Sequence, residues 1–262
     1  MRNKNRIVVC NGKGGVGKTT SVIEIAAELS NVQQGRLLVI DIDPSANSTL
    51  HLLGYIPKQS ELTISNLLLD DDLDTKALFR KATSAWPNTY VIPSNETLNR
   101  VPALIEGQEY WINLLDENLE TFEHNFDYIL IDTPPLTNAL TKLALRAANK
   151  LLIPTDISEY SDSSDNKILA LVKSLEKKGN HKLDLVKLVM TMQQKGNSFA
   201  VREAIQTAIK EHGDIFDPVF IPHTTKVSES QRKRPRTSPR NLLPDDHRLP
   251  LAYKKITNDL IK

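Results

Sequence analysis

Short runs of apolar residues recur along the chain, and segments with helical spacing separate them. Strands that face water on one side alternate apolar and polar residues, whereas parallel strands covered by helices on both faces are apolar throughout. The runs that we predict as strands are RIVVC (6–10), RLLVID (36–41), TYVIP (89–93), YILID (128–132), KLLIP (150–154), LVKLVMT (185–191) and PVFIP (218–222). This alternation predicts an α/β fold with a mostly parallel, twisted β-sheet flanked by helices.

The segments between the runs place apolar residues three and four positions apart, which is the spacing of one helix face. Such sets are Val22, Ile25, Ala26 and Leu29; Leu140, Leu143, Ala144 and Ala147; Ile168, Leu171, Val172 and Leu175; and Val201, Ala204, Ile205 and Ala208. Helices are also predicted around 63–69, 74–85 and 107–125. Ligands of open parallel sheets bind beyond the carboxyl ends of the strands, so we expect the functional residues there.

The bulk properties are those of an ordinary globular chain. Its 262 residues suffice for one large domain and no low-complexity linker divides them, so we predict a single domain over 1–262. A net charge of +1 gives no overall attraction to nucleic acid or membrane. The single cysteine, Cys10, excludes an internal disulfide framework and a multi-cysteine metal site. No apolar segment approaches the roughly 20 residues of a membrane-spanning helix, and we expect a cytoplasmic protein.

A glycine-rich stretch, GKGGVGKT (12–19), lies between the first predicted strand and the first predicted helix. It matches the G-x-x-x-x-G-K-[ST] phosphate-binding pattern in the strand–loop–helix context that the pattern requires. Glycines let backbone N–H groups converge on phosphate oxygens, and the helix N-terminus adds a positive dipole. Lys18 is predicted to contact the β- and γ-phosphates, and the Thr19 hydroxyl to bind Mg²⁺. The residues predicted to bind the nucleotide here are Gly12, Lys13, Gly14, Gly15, Val16, Gly17, Lys18, Thr19 and Thr20.

Three aspartates stand at the ends of two apolar runs. Asp132 ends YILID, where a carboxylate can hold Mg²⁺, usually through water. Asp41 and Asp43 end another run, and strand alternation puts both on one side. We predict Asp132 and Asp41 as metal-site residues. Capping of the following helices is the alternative for all three aspartates, and Asp41 could instead only orient the loop lysine or a metal-bound water.

These segments resemble the ParA/MinD-type ATPases, which carry a deviant Walker A loop, and most closely the ParA DNA-partition proteins. KGGVGKTT (13–20) is that family's signature loop, and VIDIDPSANST (39–49) is similar to its D-x-D segment. DYILIDTPP (127–135) and the residues after it resemble its Walker B region, and IFDPVFIPHTTKVSES (215–230) resembles a stretch near its C-terminus. The family has a glycine where this chain has Ala46, so the backbone geometry at that position is open.

The resemblance implies a P-loop NTPase of the deviant Walker A type that uses ATP and Mg²⁺. In that family the first loop lysine reaches the phosphates bound by a partner subunit, and Lys13 matches it. A second cation at the γ-phosphate stabilises charge in phosphoryl transfer and makes a homodimer depend on ATP. The implied catalytic residues are thus Lys13, Lys18 and Asp43, the last positioning the attacking water, and Pro222 is implied to lie at the adenine. An exposed loop lysine is the alternative for Lys13.

The basic segment SQRKRPRTSPR (230–240) is the best local indication of a target. Its prolines prevent a regular helix, which predicts an exposed basic loop, and ParA-like dimers bind nonspecific DNA through basic residues in their C-terminal part. The predicted DNA-binding residues are Arg232, Lys233, Arg234, Arg236 and Arg240. A solvated charged loop is the alternative. Only residues 1–5 precede the first predicted strand, so we expect no N-terminal helix-turn-helix and no operator recognition.

These observations predict a DNA partition (segregation) ATPase. The resemblance implies a nucleoid-associated ATP-bound homodimer that a ParB-like, centromere-binding partner releases by stimulating hydrolysis. Two alternatives stay open: a ParA-like positioning ATPase for a non-DNA cargo, and a MinD-like membrane-surface regulator of division. The C-terminal LPLAYKKITNDLIK has a narrow apolar stripe, which is typical of a helix packed on its own domain, so no membrane binding is expected.

Overall fold

One β-sheet organises the structure, a computed structural model that describes residues 5–135, 138–156, 164–179, 182–193, 199–233 and 236–262. Its strands are β1 (Arg6–Val9), β2 (Leu37–Asp41), β3 (Arg80–Lys81), β4 (Thr89–Ile92), β5 (Tyr128–Asp132), β6 (Lys150–Asp156), β7 (Leu185–Gln193) and β8 (Phe216–Pro222). They are ordered β3-β4-β2-β5-β1-β6-β7-β8, and every neighbouring pair is parallel except β3–β4. The prediction of a mostly parallel sheet is confirmed, and each predicted strand is present.

The register of the central strands brings their carboxyl ends together. Val9 of β1 and Asp41 of β2 both pair with Asp132 of β5. Since β1 leads directly into the glycine loop, that loop and the aspartates meet at one edge of the sheet. This is the edge at which ligands of open parallel sheets bind.

Helices cover both faces of the sheet. They are α1 (Lys18–Ala27), α2 (Asn47–Leu53), α3 (Ile64–Leu69), α4 (Val101–Ile105), α5 (Leu114–Phe122), α6 (Ala139–Ala147), α7 (Ser164–Gly179), α8 (Phe199–His212), α9 (Lys226–Arg232) and α10 (Arg248–Ile261). A π-helical turn, Glu28–Val32, extends α1. The helices α1, α2 and α10 bury apolar residues against one face, and α3 to α7 against the other. None of the helices in the described part of the chain has the length and apolar composition that a bilayer crossing requires.

The prediction of a helix around 74–85 is wrong. Thr75–Leu78 forms a 3₁₀ turn, and β3 follows it and pairs antiparallel with β4. Leu78 packs in the core beneath α3 to α7, whereas Trp86 packs in the core beneath α1, and both side chains are fully buried. Residues eight positions apart lie near the same face of a helix, so a helix could not send these two to opposite faces of the sheet. The short edge strand β3 and the turn that follows it place them there.

The helix predicted over 107–125 is shorter than expected. Only α5 is α-helical there, and 3₁₀ turns flank it at Trp111–Asn113 and Glu123–Asn125. Tyr110 adopts a left-handed conformation with φ 63°, which an α-helix of L-residues does not continue. The prediction around 63–69 is confirmed by α3, which Thr63 caps.

Arg6, the first residue of β1, is a fully buried cation. Its Nε donates to Glu123 at 2.6 Å, and its Nη1 donates to Asp116 at 2.5 Å and to the Ala147 carbonyl at 3.1 Å. These contacts connect β1 to α5 and to the end of α6. Removing a charge from water costs several kcal/mol, so each member of this cluster depends on its partners.

Arg6→Ala should lower the free energy of unfolding by about 3–5 kcal/mol, because Asp116 and Glu123 would stay buried without their cation. Urea unfolding followed by circular dichroism measures the change. Arg36→Ala is the matched control, since Arg36 is exposed and its guanidinium stacks over Tyr90, a contact worth about 0.5–1 kcal/mol. A loss for Arg6→Ala no larger than that of the control would contradict the importance of the cluster.

Candidate phosphate-binding site

The glycine loop joins β1 to α1 in the predicted strand–loop–helix arrangement. Gly15 and Gly17 are left-handed, with φ 79° and 92°, a conformation that glycine adopts without strain. Gly17 caps α1, so the loop carries the backbone N–H groups and the positive dipole of the helix N-terminus. The side chain of Asn11 fixes the start of the loop by accepting a hydrogen bond from the Lys13 N–H at 3.0 Å.

Lys18 and Lys13 are directly connected. Lys18 is only 7% exposed, and its Nζ donates to the Lys13 carbonyl at 2.6 Å. Burial lowers the pKa of Lys18, while the nearby carboxylate of Asp132 acts in the opposite direction. Lys13 itself is half-buried. An ammonium has three donors, and an anionic acceptor adds ion pairing that the neutral Lys13 carbonyl does not provide, so Lys18 is well suited to bind an anion.

Asp132 lies fully buried at the end of β5 and contacts two helices. Its Oδ2 accepts hydrogen bonds from the hydroxyls of Thr19 in α1 at 2.8 Å and Ser48 in α2 at 2.5 Å. Its Oδ1 is buried and has no hydrogen-bond partner among the described residues. Burial raises the pKa of Asp132, and the two hydroxyl donors lower it.

This group of oxygen atoms fits Mg²⁺, which prefers hard oxygen ligands and keeps several waters. The orphaned Oδ1 of Asp132 and the hydroxyl of Thr19 are candidate ligands, directly or through water. Within the described ranges, no group of three or more His, Cys, Asp or Glu side chains could hold a metal ion. A cation at Asp132 would therefore depend on phosphate and water oxygens for its other ligands.

Asp41 is also fully buried, but both of its oxygens bind the segment that follows it. Oδ2 accepts from the N–H and the hydroxyl of Thr49, each at 2.8 Å, and Oδ1 accepts from the Asp43 N–H at 3.1 Å. Burial, together with the charge of Asp132, raises the pKa of Asp41. These contacts favour the interpretation of Asp41 as an orienting residue over that of a metal ligand.

The loop between Asp41 and α2 presents Asp43 to the site. Asp43 is 8% exposed, and its Oδ1 accepts from the Ser45 N–H at 2.8 Å. Ala46, just before α2, is left-handed with φ 52°. The position therefore does need the conformation that glycine adopts freely, and alanine holds it at a cost of about 1–2 kcal/mol.

Two cavities meet at the glycine loop. The first measures about 270 Å³ and is mainly polar, with a lining of Gly14, Gly15, Gly17, Lys18, Thr19, Thr20, Asp43, Ser45, Asn47 and Pro135. The second measures about 150 Å³ and includes apolar side chains, with a lining of Gly17, Thr20, Thr191, Ile221, Pro222, His223, Thr224, Val227, Ser228, Leu249 and Tyr253. Both include Gly17 and Thr20, so a ligand with a charged end and a flat ring can extend from one to the other. Pro222, predicted to lie at adenine, is in the second cavity.

The basic segment differs from the predicted exposed loop. The helix α9 extends to Arg232, and a 3₁₀ turn spans Pro239–Leu242. Arg232 and Lys233 are exposed and Arg236 is half-buried, whereas Arg234 lies outside the described residues. The guanidinium of Arg240 forms an ion pair with Glu28. The prediction of an exposed loop is wrong for this C-terminal part, because Glu28 provides a buried partner that the sequence spacing does not reveal.

Several residues at the site were not predicted from the sequence. Ser48 and Thr49 are the last two residues of the D-x-D segment, and hydroxyls at the start of a helix beside two buried carboxylates are candidate donors. Thr191 donates to the Val16 carbonyl at 2.9 Å and so fixes the glycine loop to β7. Tyr253 of α10 lies with its hydroxyl 3.0 Å from that of Ser21 in α1. The last two depend on contacts between distant segments, which no local pattern marks.

The chain is similar to known proteins over most of its length. The family model described as AAA domain (AAA_31) matches residues 4–185. The sporulation initiation inhibitor protein Soj of Bacillus subtilis is 30% identical over 233 residues, which cover 86% of each chain. The chromosome partitioning protein ParA of Caulobacter vibrioides is 28% identical over 227 residues, 86% of this chain and 82% of that protein. The maintenance of carboxysome distribution protein A of Gloeothece citriformis is 32% identical over 173 residues, 66% of this chain and 65% of that protein.

Solved structures share the fold. McdA from Cyanothece, in a complex with ATP, matches with a TM-score of 0.86 at 23% identity, over 99% of this chain and 98% of that one. The family match spans well over half of the sequence and includes the glycine loop, the D-x-D segment and Asp132. The chain therefore belongs to the AAA_31 family, the ParA/MinD-type P-loop NTPases with a deviant Walker A loop.

Proposed function

We propose that this protein is a Mg²⁺-dependent ATPase that dimerises around ATP on nonspecific DNA and partitions a DNA cargo. The observation that carries the proposal is the meeting of Lys18, Thr19 and Asp132 beside the polar cavity at the N-terminus of α1. A triphosphate needs a cation, oriented N–H groups and hard metal ligands, and this site offers all of them. The partitioning relatives of the same family support the choice of reaction.

The nucleotide would span the two cavities. Its phosphates suit the polar cavity, where Lys18 would exchange the Lys13 carbonyl for phosphate oxygens. Its adenine suits the smaller cavity, where Pro222 and Tyr253 offer apolar surface and Thr224 a hydroxyl. Thr19 and, through water, Asp132 would hold Mg²⁺, which supplies charge neutralisation at the phosphates.

Asp43 is proposed to position the attacking water, since its carboxylate lines the polar cavity and its backbone is fixed by Asp41. Lys13 is proposed to reach the triphosphate of a partner subunit. Two facing subunits without that triphosphate would bring their positively charged lysines close together, and like charges in an interface cost several kcal/mol. Dimerisation would thus depend on ATP, and hydrolysis would end it.

DNA is proposed to bind the basic segment at Arg232, Lys233, Arg234 and Arg236. Basic residues on a chain with a net charge of only +1 give a local rather than a global attraction to phosphates. A ParB-like partner would stimulate hydrolysis and release the dimer. This function would be carried out in the cytoplasm, on the nucleoid.

A second candidate is a positioning ATPase that uses the same switch for a non-DNA cargo. The relative from Gloeothece citriformis, named for maintenance of carboxysome distribution, favours it. Loss of the protein would disturb DNA inheritance in the first case and the distribution of the cargo in the second.

Lys18→Ala and Lys13→Ala should separate ATP binding from dimerisation. Loss of the charge-assisted hydrogen bond of Lys18, worth about 1.5–3 kcal/mol, should weaken ATP binding about 10- to 100-fold. Lys13→Ala should bind ATP nearly as the wild type does but stay monomeric. Titration with a fluorescent ATP analogue, and light scattering with ADP, ATP and a slowly hydrolysed analogue, measure both effects. A Lys13→Ala dimer with the analogue would contradict the cross-subunit role.

Asp43→Ala should bind ATP and dimerise, but it should hydrolyse ATP about 100-fold more slowly or worse, because the attacking water would lose its orienting carboxylate. Release of phosphate measures the rate, and the variant should stay on DNA as an ATP-bound dimer. Asp71→Ala, at an exposed position, is the control for removal of an acidic side chain. Normal turnover in Asp43→Ala would exclude its proposed role.

Lys233→Gln should weaken DNA binding by the ATP-bound protein equally for unrelated sequences, because interactions with phosphates carry no sequence information. The slope of log affinity against log salt should become shallower by about 0.9 for each phosphate that the protein no longer neutralises. Fluorescence anisotropy over a salt series measures the slope. Lys76→Gln, at an exposed lysine outside the basic segment, should leave it unchanged. An unchanged slope in Lys233→Gln would remove this residue from the interface.

A further inference from the structure

The C-terminal part of the basic segment is docked on α1 and its π-helical extension by two buried acids. Glu24 and Glu28, one turn apart, are 0% and 1% exposed. Glu24 accepts hydrogen bonds from the Ser238 hydroxyl at 2.6 Å and from the Arg240 N–H at 3.2 Å. The guanidinium of Arg240 forms its ion pair with Glu28. We call residues 237–241 the strap.

A second contact connects the strap to α2. The Nε2 of His51 lies 2.8 Å from the Thr237 carbonyl, and since a carbonyl can only accept, Nε2 carries the hydrogen. Burial lowers the pKa of His51 to about 4, so the ring is neutral at pH 7. The ring packs edge-on against the fully buried Trp86, with centroids 6.0 Å apart. The strap is therefore held by both helices.

These two helices also form the nucleotide site. The first residues of α1 are Lys18 and Thr19, and Ser48 near the start of α2 donates to Asp132. The helix α9 precedes the strap, and its Ser230 and Gln231 line a cavity of only about 10 Å³ together with Thr19 of α1. The starts of α1 and α2 thus lie at the phosphate site, while Glu24 of α1, Glu28 just beyond it and His51 of α2 hold the strap.

We propose that Arg240 is a positioning residue that couples the nucleotide site to the DNA-binding surface. Its ion pair with Glu28 would make the strap shift whenever α1 shifts. The proposal rests on the proposed function for the identity of that surface. It removes Arg240 from the predicted phosphate contacts, because its side chain is 13% exposed and neutralised by a carboxylate in the protein interior. A triphosphate that draws Lys18 from the Lys13 carbonyl alters the start of α1, and the strap would transmit that difference.

Neutralising Glu28 distinguishes this role from a direct contact with DNA. If Arg240 positions the basic segment, Glu28→Gln and Arg240→Gln should each weaken ATP-dependent DNA binding by about fivefold or more, without changing the salt slope. Glu28→Gln would do so although it removes a negative charge. If Arg240 contacts phosphate, Glu28→Gln should instead strengthen binding, and Arg240→Gln should make the slope shallower by about 0.9. That second pattern would overturn the proposal.

The measurement is fluorescence anisotropy of a short nonspecific duplex with a slowly hydrolysed ATP analogue and with ADP. Lys233→Gln is the reference for a residue that neutralises phosphate directly. Since removing one member of a buried ion pair can unfold a protein, the double variant Glu28→Gln/Arg240→Gln is included, which leaves no lone charge. It should fold as the wild type does by circular dichroism and retain the binding defect. Recovery of wild-type binding in the double variant would refute the ion pair as the connection.

Hydrogen exchange tests the coupling without DNA. The analogue, relative to ADP, should change exchange in peptides covering 236–243 of the wild type by about fivefold or more, and Glu28→Gln should abolish this difference. No nucleotide effect in the wild type, or an unchanged effect in Glu28→Gln, would overturn the proposal. A wild type that has the exchange effect but binds no DNA would sink the proposed function and leave the coupling intact.

Discussion

The carboxylate of Asp132 is the interaction on which the rest of the site depends. It is fully buried at the end of a central strand, and its Oδ2 holds the starts of α1 and α2 through Thr19 and Ser48. A buried carboxylate is tolerated only where donors surround it, so the two hydroxyls are as necessary as the acid. Because the parallel register aligns Asp41 and Val9 with Asp132, a single position in the sheet fixes the glycine loop and the D-x-D segment relative to each other.

The two aspartates of the D-x-D segment have different surroundings in the structure. Asp41 is buried and uses both oxygens to hold the backbone of Asp43 and the start of α2, so it stabilises a loop whose Ala46 is left-handed. Asp43, two residues on, reaches the polar cavity. Side chains two apart on a strand share a side, so in the sequence only the family resemblance gave the two aspartates different roles. Their contacts separate them, because Thr49 binds Oδ2 of Asp41 whereas Asp43 lines the polar cavity.

Much of the fold and the core of the site could be predicted from the sequence, because both follow from local patterns. Continuous apolar runs predicted the parallel strands, and the pattern at 12–19 predicted the strand–loop–helix arrangement that lines the polar cavity. The predictions were wrong where contacts between distant segments determine the local structure. The chain from Leu78 to Trp86 is not helical because its apolar residues enter cores on opposite faces of the sheet. The side chain of Arg240 is largely buried because it forms an ion pair with Glu28, which lies more than two hundred residues earlier in the sequence.

The acids on α1 also explain how a nearly neutral chain can present a basic surface in a fixed place. A proline-broken run of like charges repels itself and has no regular structure to order it. The ion pair of Arg240 with Glu28 orders the strap, while Arg232 and Lys233 stay exposed. Burial raises the pKa of Glu24 to about 7, so near neutral pH this acid can hold the Ser238 hydroxyl without adding a full negative charge beside Glu28. Docking of the strap therefore cancels little of the charge that nucleic acid would meet under the proposed function. It also connects that charge to α1, whose first residue is Lys18.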